Sequence, residues 1–221
     1  MSLSFKEKMQ LSIHYDCDGV LRDFHNKAFE VFFEKYPEYK KYILPVSKFR
    51  GWRFEEQLKL GPDSKKIDAL MWEELFNNEK MCFEAFGKAN PLIYPDEWNK
   101  HIRKILCDFP DANIVISTHQ YTDVAREATT YWLQKNGFTD EDNISILYTG
   151  KKTLFGAHYL LDDKPAMIEQ FHKPYKSIGV LFLNPRTNGW YTRKIIEKKF
   201  LYAKNLNDYY KIINKTAMNL L

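Results

Sequence analysis

Five short apolar runs interleaved with helical or polar stretches constrain this 221-residue chain more than any other feature. In the first, Leu11, Ile13 and Tyr15 alternate with Ser12 and His14, the period of a strand, and the run stops at Asp16. Residues 113–117, 144–148, 158–161 and 178–183 read as four further strands. Among them, Val124, Ala128, Tyr131 and Trp132 recur at i, i+4, i+7 and i+8, a helical stripe that Gly137 closes. Strands alternating with helices build a mostly parallel sheet covered on both faces, so the expected class is α/β with a Rossmann-like core.

Residues 25–110 break that rhythm and read as helical. Ser64 is the expected N-cap of a helix carrying Ile67, Leu70, Met71 and Leu75 on one face. Pro95 and Asp96 open another, with Trp98, Ile102, Ile105 and Leu106 at helical spacing. The segment is rich in aromatic and basic residues, including Phe49-Arg-Gly-Trp-Arg-Phe54. The simplest description is a core of residues 1–24 and 111–221, with a helical insertion at 25–110 after the first strand. That insertion is either a structural subdomain or a lid.

Composition narrows the function classes. Aromatic residues make up 16% of the chain, which demands a packed interior and excludes intrinsic disorder. No apolar run approaches the roughly 20 residues of a membrane-spanning helix. The 33 basic and 29 acidic residues leave a net charge of +4, with the basic residues dispersed. That balance suits an anionic small molecule as well as nucleic acid. Cys17, Cys82 and Cys107 are odd in number and show no C-x-x-C spacing, so neither a disulfide framework nor a zinc site is expected. With no signal-peptide pattern, a reducing, cytoplasmic setting is expected.

The chemistry concentrates in Asp16-Cys-Asp-Gly-Val-Leu-Arg-Asp-Phe24, directly after the first strand. In an α/β fold the carboxyl ends of the strands open into the ligand crevice. Gly19 permits a tight turn that brings backbone close to a bound group. One carboxylate there can attack phosphorus, and a second, protonated, can assist the leaving oxygen. A cation is needed to offset the repulsion between carboxylate and phosphate.

This motif resembles the D-x-D-G-[VT] opening of phosphatases in the haloacid dehalogenase (HAD) superfamily. The resemblance extends to a Ser or Thr ending an apolar strand, supplied by Ser117 or Thr118, with Ser117 favoured as the first polar residue after the run. It also extends to Lys152, ten residues ahead of the acidic pair Asp162 and Asp163. The K-T, apolar strand and D-D-x-P arrangement is similar to the narrower 5′(3′)-deoxyribonucleotidases, with Lys164 where that group carries Arg. The likeness covers residues 11–183 and is weak through the insertion.

The resemblance implies an HAD core with a helical cap that chooses the substrate. It implies Asp16 as nucleophile and Asp18 as general acid and then base. Mg²⁺ would be held by Asp16, the backbone carbonyl of Asp18, and Asp162, with Asp163 orienting a metal-bound water or capping a helix. Lys152 and Ser117 or Thr118 would bind phosphate. Phe24, Trp52 and Trp72 are the candidates for sandwiching a base. The expected partner is a small phosphate monoester, a nucleotide, rather than a nucleic acid polymer or a membrane. Oligomeric state stays open, a homodimer among the options. Asp23 is balanced between a helix cap and a site role. Lys151, His119, Arg186 and Arg193 are expected to be ordinary loop or surface residues. Two alternatives remain: an HAD phosphatase for another phosphate ester, or a phosphate-ligand-binding protein without turnover.

Overall fold

The computed structural model describes residues 10–45, 48–49, 53–59, 61–140, 143–171, 177–184 and 198–217. Six strands, β1 (Ser12–Tyr15), β2 (Asn113–Thr118), β3 (Ile144–Tyr148), β4 (Tyr159–Asp162), β5 (Ile178–Phe182) and β6 (Leu201–Ala203), form one sheet in the order β3-β2-β1-β4-β5-β6. Every pairing is parallel, with Ser12 opposite Asn113 and Ile13 opposite Tyr159. This is the α/β class that the alternation implies. β6 was not anticipated, because three residues are too few to show a period.

The helices are α1 (Phe24–Lys35), α2 (Pro62–Asn77), α3 (Glu79–Gly87), α4 (Pro95–Asp108), α5 (Asp123–Lys135), α6 (Pro165–Phe171) and α7 (Leu206–Ala217). α5 begins as its sequence dictates: Thr122 caps it by accepting from the Ala125 amide at 3.1 Å, and Gly137 follows it at φ +66°. Tyr131 of the expected stripe is largely exposed, and Trp132 carries the burial. Ser64 is not the N-cap of α2. Pro62, whose fixed φ and missing N–H suit a first turn, opens the helix after Gly61, and the Ser64 hydroxyl donates back to the Gly61 carbonyl at 2.8 Å.

Three apolar clusters organise the described residues, the smallest joining Leu160 and Leu181 of the sheet to Ile168 and Phe171 of α6. The largest lies on one face of the sheet, joining Ile13, Tyr15, Ile116 and Leu161 to Tyr209 and Ile213 of α7. Trp98, Ile102 and Ile105 of α4 belong to this cluster, so α4 packs with the core although its sequence position falls within 25–110. The second joins Phe24, Phe29 and Phe32 of α1 to Met71 and Leu75 of α2 and to Ala85 and Phe86 of α3. Ala125 and Ala128 of α5 complete it, so the inserted helices rest on α5. No helix among the described residues is long and apolar enough to cross a membrane.

Candidate active site

A cavity lies at the carboxyl ends of the strands, between the sheet and the inserted helices. Asp16, Asp18, Thr118, Lys152 and Asp162 line it at the strand ends, and Phe24, Trp72, Phe86 and Tyr121 add aromatic lining. Asp16 follows β1, whose pairing with β4 is extended when the Asp16 amide donates to the Leu161 carbonyl at 2.8 Å. That pairing brings Asp16 beside Asp162, the last residue of β4.

Lys152 joins them. Its Nζ is 2.7 Å from Asp16 Oδ1 and 2.7 Å from Asp162 Oδ2, and the side chain is almost wholly buried. Lys151 is exposed, so the two lysines divide as their spacing to the acidic pair implies. Burial opposes the charge on Lys152, yet Asp16 and Asp162 outweigh it and raise the ammonium above its ordinary value. Burial raises the Asp16 carboxyl well above the usual carboxylate range. Lys152 pulls it back, while Asp162, Asp163 and Asp18 add to the rise.

Asp16, Asp162 and Asp163 each bring a carboxylate oxygen within 4.8 Å of the others. Asp163, expected to orient a metal-bound water or to cap a helix, brings its carboxylate into the same cluster. Asn184 donates to Asp163 Oδ2 at 2.9 Å and to the Gly19 carbonyl at 2.7 Å, tying it to the first-motif turn. The donor set fits a hard divalent cation. Its ligands are all oxygen, and a cation among them would offset the burial and mutual repulsion that raise the Asp16 carboxyl.

Asp18 also lines the cavity but stands outside that carboxylate cluster. Its carboxylate is engaged by Arg22 Nε at 2.6 Å and Gln120 Nε2 at 2.9 Å, with Thr118 Oγ1 at 3.5 Å. Of the two second-motif residues, Thr118 lines the cavity, while the Ser117 hydroxyl is fully buried with no hydrogen-bond partner among the described residues. Of the pair, the structure thus brings Thr118 and not the favoured Ser117 to the cavity, because alternation along β2 points the two side chains to opposite faces.

The aromatic candidates separate. Phe24 is buried in the cluster of α1, α2 and α3 and stacks on Phe86 with ring centroids 4.3 Å apart and planes at 18°. Half-buried Trp72 stacks on Phe76, which meets Tyr121 edge-on. Trp52, Arg186 and Arg193 lie outside the described residues. Asp23 caps α1 through the Asn26 amide at 3.5 Å. His119 lines the cavity against Gly150, where an added Cβ would fall 2.7 Å from its ring. Burial, then the charges of Lys164 and Lys152, lower its pKa. Arg22, Phe86, Gln120 and Tyr121 were missed as site residues. Only Arg22 left a signal, its place inside the first motif.

No protein-family model matches the chain, and no curated protein matches its sequence. Solved structures do match. The β-phosphoglucomutase of Clostridium difficile superposes with a TM-score of 0.56 over 96% of this chain and 99% of its own, at 12% identity. The HAD-hydrolase YfnB of Bacillus subtilis, solved bound to magnesium, gives 0.54 over 93% and 99%, at 13% identity. A family IA HAD hydrolase from Entamoeba histolytica gives 0.52 over 90% and 95%, at 12% identity. At these identities the likeness establishes the fold alone: a Rossmann-like α/β architecture of the kind seen in HAD hydrolases and in this phosphoglucomutase.

Proposed function

We propose that the protein is a Mg²⁺-dependent phosphatase of nucleoside monophosphates that works through an aspartyl-phosphate on Asp16. The observation that carries this reading is Lys152, held 2.7 Å from both Asp16 and Asp162 in a cavity that Phe24, Trp72, Phe86 and Tyr121 also line. In the first half-reaction an Asp16 oxygen attacks phosphorus, the bond to the leaving oxygen breaks, and Asp18 gives that oxygen its proton. In the second, water attacks phosphorus, Asp18 takes its proton, and the bond to Asp16 breaks. Lys152 and Thr118 hold phosphate oxygens. The carboxylates of Asp16, Asp162 and Asp163, with the backbone carbonyl of Asp18, would hold Mg²⁺, whose charge when bound would let anion approach anion.

The aromatic lining supports a nucleotide as substrate. Phosphoryl transfer has no use for Phe24, Phe86, Trp72 or Tyr121, whereas a planar base stacks on such rings with about 1–3 kcal/mol per base. The motif resemblance to the 5′(3′)-deoxyribonucleotidases points the same way. Phosphate release is to be measured with Mg²⁺ across nucleoside monophosphates and sugar phosphates. Nucleotides are expected to lead, Asp16→Asn to be folded but inactive, and EDTA to abolish turnover. A clear preference for sugar phosphates would replace the substrate class and leave the chemistry; full activity in excess EDTA would remove the metal.

A further inference from the structure

Arg22 lies four residues after Asp18, and none of the steps above uses it. Its side chain is wholly buried, a costly place for a guanidinium unless its donors are paired. They are paired with three separate parts of the fold. Nε donates to Asp18 Oδ1 at 2.6 Å, Nη1 to the Phe86 carbonyl on α3 at 2.6 Å, and Nη2 to Thr129 Oγ1 on α5 at 3.0 Å. The guanidinium also lies over the rings of Phe86 and Trp132, 5.2 and 5.5 Å from their centroids. With Gln120 on the other oxygen, the Asp18 carboxylate is gripped from both ends.

We propose that Arg22 is a positioning residue that aims Asp18 at the leaving oxygen and ties that aim to the seating of the cap. The inference rests on the phosphatase reading above. Phe86 makes the link: its carbonyl anchors Arg22, while its ring lines the cavity and stacks on Phe24. A ligand pressing on the Phe24–Phe86 stack thus bears on the residue that holds Arg22. A planar fork is needed, because one guanidinium spans Asp18, α3 and α5 at fixed angles, which a lysine ammonium cannot do.

The test compares kcat/KM for benzyl phosphate, whose alkoxide needs a proton to leave, with that for p-nitrophenyl phosphate, whose phenolate does not. Both probes are independent of base recognition. Asp18→Asn sets the reference, with benzyl phosphate falling about 10²–10⁴-fold and the nitrophenyl ester far less. Arg22→Lys and Arg22→Met are expected to lose roughly 10–100-fold on benzyl phosphate and less than about threefold on the nitrophenyl ester. Thr129→Val keeps Arg22 and touches no reacting group; the same selectivity at smaller amplitude is expected, and it carries the test if the Arg22 variants fail to fold. Equal losses on both esters in the folded variants overturn the positioning role. An Asp18→Asn enzyme without leaving-group selectivity removes the general-acid reading, and this inference with it.

Discussion

Gly19 and Asp163 are packed so closely that a Cβ on Gly19 would fall 2.0 Å from Asp163 Oδ2, and the Gly19 backbone sits at φ +88°. A side chain is excluded twice, by the left-handed backbone and by the carboxylate. Gly19→Ala is expected to destabilise the fold by about 1–3 kcal/mol and to displace Asp163 from the carboxylate cluster. Gly137→Ala, strained at φ +66° outside the site, is the control. In Mg²⁺ titrations Gly19→Ala should need a higher concentration for half-maximal activity, and Gly137→Ala should not. Matching titrations would mean that the turn does not hold the metal ligand.

Thr118 and Ser117 are expected to respond in opposite ways. Removing the Ser117 hydroxyl deletes a buried polar atom that has no partner among the described residues, so Ser117→Ala should be neutral or slightly stabilising, with activity kept. Thr118→Val, isosteric and inside the cavity, should lower kcat/KM by about tenfold or more through loss of a phosphate contact. Thermal melts and phosphate-release assays check both. The reverse order would reinstate Ser117 as the phosphate ligand.

Trp72→Ala should lower kcat/KM for a nucleoside monophosphate by the equivalent of about 1–3 kcal/mol and leave a small aryl phosphate nearly untouched. Trp72 lines the cavity and is only half buried, so its removal opens no deep void in the cap. Equal losses on both substrates would make it a structural residue.

Stability should fall with acid before the carboxylates titrate. His101 is buried beside Tyr15, its Nε2 2.7 Å from the hydroxyl, and burial followed by the charge of Lys104 lowers its pKa from 6.5 to about 3. Because the folded pKa lies below the unfolded one, the stabilisation is present above pH 6.5. It is lost as pH falls from there toward 3, with a slope of up to about 1.4 kcal/mol per pH unit. His14, lowered to about 4 by burial and then Lys152, adds to the slope. Urea melts between pH 6.5 and 5 should show this decline, and His101→Gln should make it shallower. An unchanged slope in the variant would assign the acid sensitivity to other groups.

What could be read from the chain alone follows the range of each interaction. The first motif, Lys152 and the Asp162–Asp163 pair are local patterns at strand ends, and the parallel sheet brings them together. Thr118 against Ser117 turned on the parity of a strand whose last residue no local signal marks. Arg22 was legible as a motif residue but not as a buried one, since its partners Phe86 and Thr129 come from distant helices. The place of α4 depended on which cluster received Trp98, a choice that a helical stripe leaves open. Phe86 and Tyr121 reach the cavity only through tertiary packing.

The position of β1 in the middle of the sheet has a consequence for how the chain is made. Its neighbours begin at Asn113 and Tyr159, so about 100 residues leave the ribosome before the first of them exists. At about 5–20 residues per second, that is a wait of roughly 5–20 s with an apolar strand unpaired. The cluster of α1, α2 and α3, drawn largely from residues 24–86, can gather locally during that interval, while the sheet must await long-range closure. The segment bearing Asp16 and Asp18 is thus among the earliest synthesised and among the last to acquire its working shape, when β4 delivers Asp162 beside it.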